Sequence, residues 1–215
     1  MRAILIAAKH LAFAKTRLGR ALGAADRIAL AEAMFRDVLG AALGARAAQH
    51  VAVVTSDPTL LGIARGAGAL VIDEEYPRGL NAAVRLASAA LAAQGVSQLC
   101  TVLSDIPLVS SEDIDTVFAA LAEEGRGVVL VPSRDLSGTN IIARAPAEAI
   151  PTRFGSQSLA RHLEECYRHG LPSQVVRLRA PALDLDLLED LAEFVRTPSM
   201  THTFSQLARL GIAHG

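Results

Sequence analysis

Short apolar runs alternate along the chain with longer stretches whose apolar positions repeat at helical spacing. The runs Ala3–Ala8, Val51–Thr55, Ala69–Ile72, Leu99–Leu103, Val128–Val131 and Val175–Leu178 are too brief for helices and end in turn residues. That is the pattern of strands buried on both faces of a sheet. Between them, Asp26–Leu43, Pro58–Gly66, Leu80–Ala93 and Ile114–Leu121 carry Ala- and Leu-rich helical periodicity. Ser110-Ser111-Glu112-Asp113 has the form of a capping box, and Gly44, Gly95 and Gly125 suit helix ends. The order βαβαβαβαβ predicts an α/β fold: a three-layer, Rossmann-like, mostly parallel sheet with helices on both faces. Ligands of such sheets lie beyond the carboxyl ends of the strands. Attention therefore falls on Lys9, Ser56-Asp57, Asp73 and Ser104-Asp105, which follow the first four runs.

Composition narrows the class without changing the fold. With 215 residues, 51% of them hydrophobic and 20% charged, the chain can bury a full core as one domain, 1–215. Disorder and coiled coils are excluded, and no repeat or linker divides the sequence. The 21 basic and 22 acidic residues leave a net charge of −1, so nothing global recruits nucleic acid or an anionic membrane. Cys100 and Cys166 stand in unrelated segments without metal-ligand spacing, which suits a reducing cytoplasm. The opening apolar run stops at Lys9, short of an export signal or a membrane span. Arg2, Lys9, Lys15, Arg17 and Arg20 all precede the first acid, Asp26, but a strand-like opening does not suit a transit peptide.

The loop Lys9–Gly19 holds Lys9, Lys15 and Arg17 with no carboxylate to neutralise them. Such a loop either solvates as a basic surface or grips a polyphosphate through charge-assisted hydrogen bonds. It contains no Walker A or GxGxxG pattern. Asp105, in Leu103-Ser104-Asp105-Ile106-Pro107, ends a buried strand and aims a carboxylate at the crevice, where it would serve as a turn cap or a magnesium ligand. Leu183-Asp184-Leu185-Asp186-Leu187 alternates with period two, placing Asp184 and Asp186 on one face of an extended segment. Two like carboxylates side by side call for a cation. Asp186 also reads as a helix N-cap with Glu189 as its capping-box partner, which leaves Asp184 the freer ligand. The loop Ser133–Asn140 and the helix start Arg153–His162 offer amides and hydroxyls for a small acid. Ser158 and His162, four apart on that helix, read as a packing or capping pair and not as a nucleophilic dyad.

In this order these elements resemble the CofC/FbiD family of guanylyltransferases of coenzyme F420 biosynthesis. The resemblance spans nearly the whole chain. It rests on Lys9…Ala14-Lys15-Thr16-Arg17-Leu18, Arg78-Gly79-Leu80-Asn81, Ser104-Asp105-Ile106-Pro107, Gly138-Thr139-Asn140, Phe154-Gly155-Ser156-Gln157-Ser158 with His162, and Asp184-Leu185-Asp186 with Asp190-Leu191. It implies a nucleotidyltransferase fold similar to the GT-A glycosyltransferases and transfer of GMP from GTP to 2-phospholactate, phosphoenolpyruvate or 3-phosphoglycerate, releasing pyrophosphate. By position it implies that Lys9, Lys15 and Arg17 grip the triphosphate and that Gly79 and Asn81 face the base. Asp105 with Asp184 or Asp186 would hold Mg2+, and Thr139, Gly155 and Ser158 the acceptor. Leu187-Leu188 replaces the family's usual Thr-Pro, so either paired acid remains a candidate metal ligand. The resemblance also implies a downstream deazaflavin transferase as a partner in the pathway, and an Ala-rich surface permits a homodimer. Two other readings stay open: a nucleotide-sugar-dependent transferase, which would release a nucleoside diphosphate, and a non-catalytic nucleotide-binding protein, which would not need acids at both 105 and 184/186.

Overall fold

The computed structural model describes residues 1–124, 126–196 and 198–213. Gly125, expected at a helix end, lies outside the described residues. The elements are β1 (Arg2–Ala7), α1 (Ala24–Gly44), β2 (His50–Thr55), α2 (Pro58–Gly66), β3 (Leu70–Asp73), α3 (Leu80–Ala93), β4 (Gln98–Leu103) and α4 (Ser111–Glu124). They continue as β5 (Gly127–Pro132), β6 (Thr139–Ala145), α5 (Ser158–Arg168), β7 (Ser173–Val175), α6 (Leu188–Phe194) and α7 (His202–Arg209). The helices expected at 58–66 and 80–93 have those bounds, and the other two are longer by one to three residues at each end. Ser110 and Asp113 form the expected reciprocal cap: the Asp113 N–H donates to Ser110 Oγ at 3.1 Å and the Ser110 N–H to Asp113 Oδ2 at 2.9 Å.

The strands form one seven-stranded sheet in the order β3-β2-β1-β4-β6-β5-β7. Pairs β1–β2, β2–β3, β1–β4 and β5–β7 are parallel, while β6 runs antiparallel to both β4 and β5. β6 corrects the sequence expectation, which read residues 133–140 as loop and found no strand between Val131 and Val175. Its polar start, Thr139-Asn140, and the charged Arg144 break the apolar run that marks the other strands. Arg144 is nevertheless buried, donating from Nη1 to the Ile150 carbonyl and from Nη2 to Ser88 Oγ. The last strand is also shifted: it spans 173–175 and not 175–178, although the Val176 N–H still reaches the Leu130 carbonyl at 2.9 Å.

Both faces of the sheet are covered, as the unbroken apolar runs require. Alternate residues divide between them: Ile4, Ile6, Val53, Val102, Val129 and Ile141 pack with α1, α2, α4, α6 and α7. Ala3, Leu5, Val54, Leu99, Leu130 and Ile142 pack with α3 and α5 on the other face. Phe35, Phe118 and Phe194 are fully buried on the first face, each contributing about 2–3 kcal/mol of burial.

Gly127 is required where β5 meets the segment leading into β7, because an added Cβ would sit 2.6 Å from the Pro172 carbonyl oxygen. Gly127→Ala is expected to cost about 1–3 kcal/mol in a denaturant titration. Gly62→Ala, at an exposed position of α2 with nothing within 4 Å of the new methyl, is expected to gain about 0.5–1 kcal/mol.

Candidate functional site

β1 lies between β2 and β4, so the chain leaves neighbouring strands in opposite directions and opens a crevice at their carboxyl ends. There the structure holds a cleft of about 580 Å³. Lys9, Lys15, Arg17, Asp105, Thr139, Gly155, Ser158, Asp184 and Asp186 all line it. Because β6 is antiparallel, its amino end, with Thr139 and Asn140, comes to the same edge of the sheet as the carboxyl end of β4.

The basic loop is shaped by two short 3-10 turns, Leu11–Phe13 and Thr16–Arg20. Asp57, one of the strand-end acids, fixes it: Oδ2 accepts the Leu11 N–H at 2.9 Å while Oδ1 caps α2 by accepting the Thr59 and Leu60 N–H groups. Between the turns Lys15 adopts the left-handed conformation, φ 51° and ψ 36°, which costs roughly 1–2 kcal/mol for a residue with a Cβ. This geometry turns its side chain inward until only 6% is exposed. Lys15 Nζ lies 3.0 Å from Asp105 Oδ2 and 2.8 Å from Asp186 Oδ1. Burial alone would lower its pKa, but the two carboxylates outweigh that and hold it above the usual lysine value. Arg17, largely exposed, reaches Asp186 Oδ2 at 3.4 Å.

The alternation at 183–187 holds. Leu183 and Leu185 are buried in the core while Asp184 and Asp186 face the cleft, and the Leu185 N–H donates to the Asp105 carbonyl at 3.1 Å. The expected Asp186–Glu189 cap is replaced: Leu187 is the N-cap of α6, and Asp190 Oδ2 accepts the N–H groups of Asp186 at 3.0 Å and Leu187 at 2.7 Å. The Asp186 side chain is thereby free for Lys15 and Arg17. Burial would raise its pKa, yet the charges of Lys15, Arg17 and Lys9 bring it below the usual carboxylate value. Asp184 is shifted upward, first by burial and then by the charge of Asp105. Its partner is Asn140 Nδ2 at 3.4 Å, an amide that also donates to the Pro181 and Ala182 carbonyls. From the sequence Asn140 reads only as part of the Ser133–Asn140 loop offered to a small acid; its place beside Asp184 comes from the fold. Among the described residues Asp105 Oδ1, which is buried, has no hydrogen-bond partner.

Among the described residues no three His, Cys, Asp or Glu side chains form a metal-binding group. Asp105 and Asp184 still fit a hard divalent cation that keeps water and substrate oxygens in its shell: one offers an orphaned oxygen, and each raises the electrostatic need for a cation. Asp186 is already engaged by Lys15 and Arg17.

The opposite wall carries hydroxyls together with the charged Arg134 and Asp135. Asp135 accepts from Ser133 Oγ and from Ser137 N–H and Oγ, which hold its carboxyl down to about 2, and the Ser137 carbonyl accepts the Leu159 N–H of α5. Ser158 is 2% exposed and forms no hydrogen bond with His162. His162 instead pairs Nδ1 with Thr139 Oγ1 at 3.0 Å and accepts the Arg153 N–H on Nε2 at 2.8 Å, so its polar partners lie outside the Ser158–His162 pair read from the sequence. Gly79 and Asn81 do not line the cleft, whereas Leu80 between them does. Both ends of the Asn81 amide are taken by Phe154: Nδ2 donates to its carbonyl at 3.0 Å and Oδ1 accepts its N–H at 2.8 Å.

Residues 1–214 match the family described as guanylyl transferase CofC like. The chain is 35% identical over 189 residues to phosphoenolpyruvate guanylyltransferase of Sphaerobacter thermophilus, covering 88% of this chain and 90% of that protein. It is 37% identical to 3-phospho-D-glycerate guanylyltransferase of Phenylobacterium zucineum, covering 92% and 91%. Identity to 2-phospho-L-lactate guanylyltransferase of Methanothermobacter thermautotrophicus is 31%, covering 96% and 89%. A solved structure from Desulfovibrio desulfuricans, assigned to the nucleotide-diphospho-sugar transferases, superposes with a TM-score of 0.79 at 19% identity, covering 100% and 99%. The two chains thus share one fold along their whole length.

Burial, with the nearby charges of Arg144 and Arg153, brings the His162 pKa from 6.5 down to about 4. The unfolded chain therefore binds the extra proton first. The contribution of His162 is complete above pH 6.5 and falls by about 3 kcal/mol as pH drops through 4. Denaturant midpoints measured from pH 7 to 4 should fall more steeply for the native protein than for His162→Gln. Parallel curves would contradict a neutral imidazole.

Proposed function

The chain belongs to the CofC-like guanylyl transferases, and from that membership we propose that it transfers GMP from GTP to the phosphate of a small three-carbon phospho-acid, releasing pyrophosphate, within coenzyme F420 biosynthesis. Phosphoenolpyruvate, 3-phosphoglycerate and 2-phospholactate are the acceptors named in its relatives. The observation that carries the reading is Lys15, buried between Asp105 and Asp186 in a cleft that also presents Lys9, Arg17 and Asp184.

The acceptor phosphate is already an oxyanion, so the site has no need of a strong base, and none faces the cleft from His162. What the reaction needs is two polyanions held together in line. Lys9, Lys15 and Arg17 offset the triphosphate charge and favour departure of pyrophosphate. Asp105 and Asp184 would hold Mg2+, which when bound neutralises phosphate charge and polarises the reacting phosphorus. Thr139, Gly155 and Ser158 would seat the acceptor. The buried free thiols of Cys100 and Cys166 accord with a cytoplasmic setting.

The purified protein, given GTP, Mg2+ and each acid in turn, should release pyrophosphate with at least one of them. Asp105→Ala and Lys15→Met should each lower turnover by about a hundredfold or more while the circular dichroism spectrum is kept, and the exposed Arg17→Ala should cost less. Near-normal turnover by Asp105→Ala in Mg2+ would remove that residue from the mechanism.

A further inference from the structure

On the acceptor side of the cleft, Thr139 is set by a neighbour that does not itself line the cleft. We propose that His162 is a positioning residue for the acceptor: fixed as the Nδ1–H tautomer, it makes the Thr139 hydroxyl a donor to an oxyanion of the phospho-acid.

The argument begins at the far side of the ring. His162 Nε2 lies 2.8 Å from the Arg153 backbone nitrogen, and a backbone N–H only donates. Nε2 must therefore be the accepting nitrogen, and a neutral imidazole then carries its proton on Nδ1. Nδ1 lies 3.0 Å from Thr139 Oγ1, so the ring donates and the hydroxyl oxygen accepts. The opposite tautomer would set two donors against each other at Arg153, as would an imidazolium.

With its oxygen engaged by the ring, Thr139 must direct its own hydrogen elsewhere. Among the described residues Thr139 Oγ1 has no second hydrogen-bond partner, and the residue is 2% exposed in the cleft wall. A nearly buried donor without an acceptor is costly, and a ligand oxygen in the cleft supplies the acceptor. The ring cannot readily turn away: Phe154 meets it edge-on, with centroids 5.3 Å apart and planes at 80°, and Asn81 clamps the Phe154 backbone from the other side. Asn81, Phe154, His162 and Thr139 thus form one chain of contacts that ends at the acceptor.

The identity of the acceptor rests on the guanylyl-transfer reading, whereas the tautomer does not. Nitrogen-15 NMR of the His162 side chain at neutral pH should show a protonated Nδ1 and an unprotonated Nε2, and the reverse pattern would overturn the proposal. Gln at 162 keeps an amide oxygen that can accept the Arg153 N–H but lacks the rigid ring that fixes a donor on Thr139 Oγ1 at the same time. His162→Gln and Thr139→Val should each raise KM for the phospho-acid about tenfold while leaving KM for GTP unchanged. Thr139→Ser should restore it, and the double variant should be no worse than Thr139→Val alone. Multiplying effects in the double variant, or an equal rise in KM for GTP, would reduce His162 to a merely structural residue. Should His162→Gln fail to fold, the Thr139 pair decides: unchanged acceptor KM in Thr139→Val overturns the proposal. A native protein that releases no pyrophosphate with any of the three acids would overturn the reaction assigned above and leave the tautomer to the NMR result.

Discussion

The cleft is organised around one buried ammonium. Lys15 Nζ binds a carboxylate that follows β4 and another that precedes α6, so a single charge joins segments that are 90 and 171 residues away from it in sequence. Removing such a charge from water is expensive, and only good geometry with both acids makes it tolerable. The left-handed backbone at residue 15 adds to that cost and exists because the loop is held on both sides, by Asp57 at Leu11 and by the buried Leu18. The outcome is a cation in place before any substrate arrives. Electrostatic preorganisation of this kind is what transfer between two polyanions demands.

Topology decides what else meets that charge. The reversal of strand order between β1 and β4 sets the basic loop and Asp105 across from one another. The antiparallel β6 then adds Thr139 and Asn140 at the same edge; a parallel strand would have presented its carboxyl end there, with Arg144 and Ala145. Asn140 ties the 181–184 segment to this edge and so brings Asp184 beside Asp105.

Much of this was legible in the sequence, for identifiable reasons. Strands buried on both faces read as apolar runs, and the alternation of Leu183, Asp184, Leu185 and Asp186 gave its facing directly, since a period of two is local information. β6 was not legible because a buried arginine satisfied by the Ile150 carbonyl and Ser88 Oγ looks polar until its partners are known. The roles of Asp190 and Asn81 were hidden for the same reason. Which amide a carboxylate caps, and which backbone a carboxamide clamps, depends on contacts that sequence spacing does not fix. Family resemblance brought Asn81 near the site, but not to Phe154.

The two walls of the cleft differ in a way that suits the chemistry. On the proposed assignment, the nucleotide side carries Lys9, Lys15 and Arg17 among the acids Asp105 and Asp186, whereas the acceptor side presents the hydroxyls of Thr139 and Ser158 beside Arg134 and Asp135. A leaving pyrophosphate benefits from full charge neutralisation, but an attacking phosphate oxygen does not, because pairing it with a fixed cation would draw off the electron density that makes it a nucleophile. Neutral donors such as the Thr139 hydroxyl would orient a phospho-acid through hydrogen bonds and leave most of its charge available. On the same assignment, burial of His162 keeps one further positive charge, beyond those of the nearby Arg144 and Arg153, from the ring behind Thr139, where the nucleophile has to remain reactive.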